Sequence, residues 1–208
     1  MNNFNYFHPT EIMFGCSRIN KIGETIARFG KRCLLVTEKP FDVILANIEK
    51  VKETLKKSNI EFEHFDGAVP NPTTSISKGA SIAKKIKSDV ILGISGDSSM
   101  DTAKAIAVEA THEEIAWNYT IFNSKHVSEK TLPIVAVTTT SGTGANLTQV
   151  AIFTNPDEKF KSAIVSPFVF PRVTIIDPDL MLTVPSHVTV STGFDAFCHA
   201  FESYLHRM

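Results

Sequence analysis

From residue 31 onward, short β-branched runs alternate with longer segments of helical period. Cys33-Leu34-Leu35-Val36-Thr37 predicts a buried strand, after which Ile44, Leu45, Ile48, Val51 and Leu55 recur at helical spacing as far as Ser58-Asn59. A second strand is predicted over 61–65, a turn at Pro70-Asn71-Pro72-Thr73, and a helix marked by Ile76, Ala80, Ala83 and Ile86. Apolar runs at 90–94, 134–137, 150–153 and 173–176 supply further strands. Strands alternating with helices imply a parallel sheet with right-handed crossovers on both faces. The expected fold is therefore α/β and doubly wound, with ligands at the carboxyl ends of the strands. Residues 8–20 precede this pattern and are expected to form a small edge hairpin.

The pattern changes after Asp177-Pro178-Asp179. Residues 183–192 are polar and turn-like, and a helix is expected from Ser191 with no stop signal by Met208. At about 100° per residue, Phe194, Phe197, Phe201 and Leu205 share one narrow sector of that helix, and Asp195, His199 and Glu202 share the adjacent one. A phenylalanine stripe of this size needs a partner surface. The expectation is a first domain over 1–181 and, over 182–208, the first helix of a truncated all-helical domain.

Composition narrows the function classes. The 208 residues carry 21 basic and 22 acidic side chains, a formal charge of -1, so no basic field is available to hold a nucleic acid backbone. No apolar run reaches membrane-spanning length and the first residues lack a signal-peptide pattern, which makes the cytoplasm the expected compartment. Cys16, Cys33 and Cys198 show no CxxC spacing and are expected to be buried reduced thiols. Trp117 and Tyr119 lie in a segment without clear period and are expected to form a satellite core.

Two loops could carry chemistry. Gly93-Ile94-Ser95-Gly96-Asp97-Ser98-Ser99-Met100-Asp101 follows a strand and opens a helix, and Ser98 and Asp101 have capping-box spacing. Free amides and the helix dipole at such a start favour an anion, although an ordinary capped helix would look the same. Thr138 to Gly144 is a second loop of hydroxyls and glycines after a strand. Two such loops at neighbouring strand ends suit a dinucleotide on a Rossmann-like sheet. Glu38, just past the first strand, stands where an acidic residue binds ribose hydroxyls and repels a 2′-phosphate, which favours NAD over NADP. Asp195 and His199 are four residues apart on a helix, within reach of one ion, but such a pair can equally be a surface hydrogen bond. The remaining histidines show no ligand spacing.

Together, Pro70-Asn71-Pro72-Thr73, the run from Ser95 to Lys104, the run from Thr139 to Gly144 and the run from Ser191 to Ala200 resemble the iron-containing (group III) alcohol dehydrogenases. The resemblance spans essentially the whole chain but only about the first half of a family member. It implies an NAD(P)-binding first domain, a helical second domain, and a divalent metal, usually iron, with zinc possible. By this resemblance Gly96, Asp97 and Ser98 lie at the family's diphosphate loop. Asn71, Thr139, Thr140, Thr143 and Leu180 line the cofactor, Lys161 approaches the nicotinamide ribose, and Glu38 matches the usual Asp at the adenosine ribose. Asp195 and His199 are the first two of four metal ligands, and the other two histidines lie beyond this chain. Ser95 and Asp97 replace two of the family's three loop glycines, and Ala145-Asn146 replaces the usual Ser-Glu. The implied activity is NAD- and metal-dependent oxidation of small primary alcohols or diols, or reduction of their aldehydes, in a possible homodimer built through the first domain. The alternatives are a nucleotide-binding module without catalysis and an enzyme related to glycerol dehydrogenase or dehydroquinate synthase.

Overall fold

The computed structural model describes residues 5–39, 42–73 and 76–206. Met208, by which the last helix is expected to show no stop signal, lies outside them. The elements are β1 (Glu11–Phe14), α1 (Ile22–Ala27), β2 (Arg32–Glu38), α2 (Asp42–Lys57), β3 (Glu61–Ala68), α3 (Ile76–Lys85), β4 (Val90–Ser95), α4 (Asp97–Glu109), β5 (Ile134–Thr138), β6 (Val150–Asn155), β7 (Phe160–Val165), β8 (Val173–Ile176) and α5 (Ser186–Leu205).

Six strands form one parallel sheet in the order β1-β8-β5-β4-β2-β3, and β6 and β7 form a separate antiparallel pair. Parallel strands need crossovers, and these cover both faces. Period-two alternation along β2 shows it: Leu34 and Val36 join Phe65, Ile91 and Ile106 in one apolar cluster, whereas Cys33 and Leu35 join Ile48, Val51, Leu55 and Leu92 in the other. The doubly wound α/β, Rossmann-like fold expected from the strand–helix alternation is the observed one. No helix among the described residues is long and apolar enough to cross a membrane.

Four local expectations need correction. Residues 8–20 form no hairpin: β1 runs parallel to β8 as an edge strand, and a 3₁₀ turn at Arg18–Lys21 follows it. The last helix begins at Ser186, five residues before its expected start, because Pro185 supplies the extended residue at its N-terminus and the polar run 186–190 continues as helix. Trp117 and Tyr119 are no satellite; they pack into the α3–α4 side of the main core. Of the three thiols only Cys33 is buried, Cys16 being exposed and Cys198 half-buried.

Candidate functional site

The carboxyl ends of β4 and β5 lie side by side, Ser95 pairing with Thr138. The two small-residue loops therefore start from adjacent points. The Thr139 amide donates to Ser95 O at 3.2 Å, and the Thr138 hydroxyl closes its own loop on Thr140 O at 2.7 Å. Ser95 has φ 125°, a backbone region that side chains rarely adopt, at the position where the family resemblance places a glycine. Gly144 takes φ 75° to turn the second loop into a short 3₁₀ segment.

Helix α4 starts two residues earlier than a capping box at Ser98 would allow. Its N-cap is Gly96, with no side-chain cap, so Ser98 lies inside the first turn, where its carbonyl accepts from the Thr102 hydroxyl at 2.8 Å. The uncapped amides at the front of α4 are the donors an anion would use. Asp97, at the helix start, reaches the second loop: its Oδ2 accepts from the Thr143 amide at 3.1 Å. The two loops are thus tied by a carboxylate. A Cβ placed on Gly142 would lie 3.0 Å from Asp97 Oδ2 and 3.6 Å from Asp195 Oδ2, so α5 also arrives at this loop.

Glu38 ends β2, two strands from β5 on the other side of β4. It is half-buried, and burial raises its carboxyl above the usual carboxylate range. Three residues past Ala68, the β3 partner of Glu38, Asn71 turns with φ 54°, and its Oδ1 accepts from Lys161 Nζ at 3.2 Å. The β6–β7 hairpin makes this contact possible. Thr154 bridges to Thr73 and donates its amide to Pro72 O at 2.6 Å, while Lys161 is the cross-strand partner of Thr154. Thr139 is buried and Thr140 and Thr143 remain accessible. Leu180 lies in the buried cluster beside β8.

On α5, His199 Nε2 and Asp195 Oδ1 are 3.7 Å apart, and both side chains are about half exposed. Two donors about 2.0–2.1 Å from a tetrahedral ion are separated by roughly 3.3 Å, so a small rotamer change would bring both onto one ion. A carboxylate with an imidazole suits zinc or iron. The pair fits half a donor set: among the described residues no third His, Cys, Asp or Glu joins them.

Two residues, Lys104 and Ser99, had not been singled out from the sequence, and a third, Asp101, only as a capping residue. Lys104 is wholly buried, and its ammonium donates to Ala145 O (2.6 Å), Val150 O (2.7 Å), Thr148 O (2.9 Å) and Thr148 Oγ1 (3.2 Å). It holds the strand-leading segment that follows the second loop. Burial pushes its amine down to about 8 while Asp101 and Asp97 pull it back. Asp101, one turn earlier, is pushed by burial up to about 7, against the pull of Lys104. Ser99 is buried and its hydroxyl accepts from the Glu38 amide at 3.1 Å. Position in a motif is the only sequence signal for Lys104 and Ser99, because their hydrogen-bond partners lie tens of residues away.

The profile of the iron-containing alcohol dehydrogenases matches residues 9–178. A Bacillus subtilis choline dehydrogenase is 38% identical over 98% of this chain and 52% of its own length. The 1,3-propanediol dehydrogenase of Klebsiella pneumoniae is 36% identical over 97% and 52%. Among solved structures, the NADH-dependent butanol dehydrogenase A of Thermotoga maritima superposes with a TM-score of 0.89 at 36% identity, over 97% of this chain and 51% of that one. The chain spans about half the length of the curated relatives it matches. With the parallel sheet, the paired loops and the profile match in agreement, the chain belongs to the iron-containing alcohol dehydrogenase family.

Proposed function

We propose that this chain is the N-terminal, dinucleotide-binding part of an NAD-dependent, metal-dependent alcohol dehydrogenase acting on small primary alcohols or diols. Residues 1–181 form the cofactor domain in this reading, and 182–208 open the helical, metal-binding part. The observation that carries it is the pair of loops leaving adjacent strand ends at Ser95 and Thr138, with Glu38 at the end of the neighbouring β2 and Asn71 bonded to Lys161 just past β3.

The residues take these roles. Amides from Gly96 to Ser98 at the front of α4, with the Thr139, Thr140 and Thr143 loop, hold the diphosphate. Glu38 accepts from the adenosine ribose hydroxyls and repels a 2′-phosphate. Lys161, kept in place by Asn71, holds the nicotinamide ribose, and Leu180 packs beneath the site. Asp97 sets a carboxylate beside the diphosphate and must share or release the Thr143 amide when the cofactor enters. Asp195 and His199 would hold a divalent metal, iron or zinc, which when bound supplies Lewis-acid polarisation of the alcohol oxygen. None of residues 1–208 is assigned as a general base. A second reading, a nucleotide-binding module without turnover, is favoured by one observation: Asp195 and His199 find no further donor among the described residues.

Calorimetric titration of the 208-residue chain with NAD, followed by turnover assays with ferrous iron and 1,3-propanediol or butanol, tests both. NAD binding that tightens in Asp97→Gly is the expected result. Absence of NAD binding overturns both readings, and iron-dependent turnover by this chain alone overturns the second.

A further inference from the structure

At its carboxyl end β2 loses its β4 partner before it reaches Glu38, and its pairing with β3 shifts register there. Pairing with β4 stops at Val36↔Gly93, and pairing with β3 jumps from Val36↔Phe65 to Glu38↔Ala68. Such an irregularity leaves a backbone amide to find another partner, and an unpaired one in a half-buried place is costly. The partner is a side chain. Ser99, on the first turn of α4 and wholly buried, accepts from the Glu38 amide at 3.1 Å, from 61 residues along the chain. The preceding residue is held as well, since the buried Thr37 hydroxyl meets His64 Nε2 at 2.8 Å. Glu38 therefore has a fixed backbone, while among the described residues its carboxylate has neither a hydrogen-bond nor an ion-pair partner.

We propose that Ser99 is a positioning residue for cofactor choice: by holding the Glu38 amide it aims the carboxylate at the adenosine ribose and so sets the preference for NAD over NADP. The proposal rests on the assignment of Glu38 to that ribose. It also gives α4 two functions at one end, because the helix that offers amides to the diphosphate carries the hydroxyl that places the ribose acceptor. A fixed acceptor binds two hydroxyls without first losing backbone freedom, and it cannot swing away from a 2′-phosphate. When Ser99 is removed, NAD loses a preorganised partner and NADP loses an obstacle.

Dissociation constants for NAD and NADP, measured by calorimetry on the 208-residue chain and its Ser99→Ala, Ser99→Cys, Ser99→Thr and Glu38→Gly variants, test this. In Ser99→Ala and Ser99→Cys the NADP-to-NAD ratio of dissociation constants should fall about fivefold, equivalent to about 1 kcal/mol. Ser99→Thr, which keeps the hydroxyl, should retain the parent ratio. A purely structural role would weaken both cofactors alike, so an unchanged ratio in Ser99→Ala and Ser99→Cys overturns the proposal. If Glu38→Gly alters the ratio while those two do not, Ser99 alone is refuted. If Glu38→Gly leaves the ratio unchanged, or the parent chain binds neither dinucleotide, the ribose assignment falls and the proposal with it.

Discussion

Helices α4 and α5 reverse the usual relation between polarity and burial. Helix α4 buries ten of its thirteen residues, and those ten include Lys104 and Glu109. Helix α5 buries none of its twenty, although Phe194, Phe197 and Phe201 stack along it with ring centroids 6.0 and 5.8 Å apart. Position in the fold explains the difference. As the crossover after β4, α4 is pressed between the sheet, α3 and β6, so even its charged groups must find partners inside. Helix α5 meets the rest of the chain near Gly142, through Thr192 and Asp195. The contrast falls across the candidate site itself: the loop proposed for the diphosphate and the carboxylate proposed for the ribose are held by α4, and Asp195 and His199, the pair proposed for a metal, stand on α5. The α4 side of the site is preorganised by a core, whereas the α5 side is a half-exposed pair on a helix that buries nothing.

The harshest test of the α4 side is Lys104→Met. It removes the ammonium and leaves the carbonyls of Ala145, Thr148 and Val150 without their donor in a buried place. Breaking such a group from one side costs about 3–5 kcal/mol, and a chain of this size should lose roughly 10 °C in Tm. Urea titration and thermal melts measure it. A variant as stable as its parent would mean that Lys104 is not enclosed, and the contrast between the helices would fail on its buried side.

The same contrast explains what could be read from the sequence. Strands β2, β4 and β5 stood out because parallel strands covered on both faces need unbroken apolar runs, as in Val90-Ile91-Leu92. Strand β7 did not, because its two faces differ: Lys161 and Val165 are exposed on one while Ser162 and Ile164 are buried on the other, so its run resembles a loop. The two loops were visible as small residues after strands, and so was the spacing of Asp195 and His199. Burial of a lysine was invisible. A polar residue on an amphipathic helix is ordinarily outside, and nothing local to Lys104 announces three carbonyls more than forty residues away. Ser99 was hidden for the same reason, and the start of α4 was misplaced because a Ser98–Asp101 pair satisfies the capping spacing whether or not the helix begins there.

A subtler test of α4 uses pH. Burial raises the Asp101 carboxyl from 3.8 to about 7, so between these values the folded chain keeps a proton that the unfolded chain has released. Stability should therefore fall as pH rises from about 4 to 7 and level off above, with Lys104 moderating the loss. In Asp101→Asn this component is absent. The stability difference between parent and Asp101→Asn should change by about 4 kcal/mol across that window. Comparison with the variant matters, because Asp89 beside Arg32 and Glu11 beside Arg28 are held below their ordinary values and produce the opposite slope. A difference independent of pH would show that Asp101 titrates as a solvated carboxylate.

The smallest effect is expected on α5, and its smallness is the point. Phe197 is 59% exposed, and its ring touches only Phe194 and Phe201 among the described aromatic contacts. Phe197→Ser removes two helix-surface ring contacts and no core, so it should change unfolding free energy by less than about 1 kcal/mol. A phenylalanine of the same size in the α4 core would cost about 3–5 kcal/mol on truncation. Thermal melts at several protein concentrations separate the cases. A small, concentration-independent shift keeps the two helices opposed as described. A loss of several kcal/mol that grows with protein concentration would mean that copies of the chain cover one another's phenylalanines. A large loss that does not vary with concentration would mean that α5 packs against its own chain more closely than its exposure allows, and the half-exposed Asp195 and His199 pair would then be as firmly placed as the loop it faces.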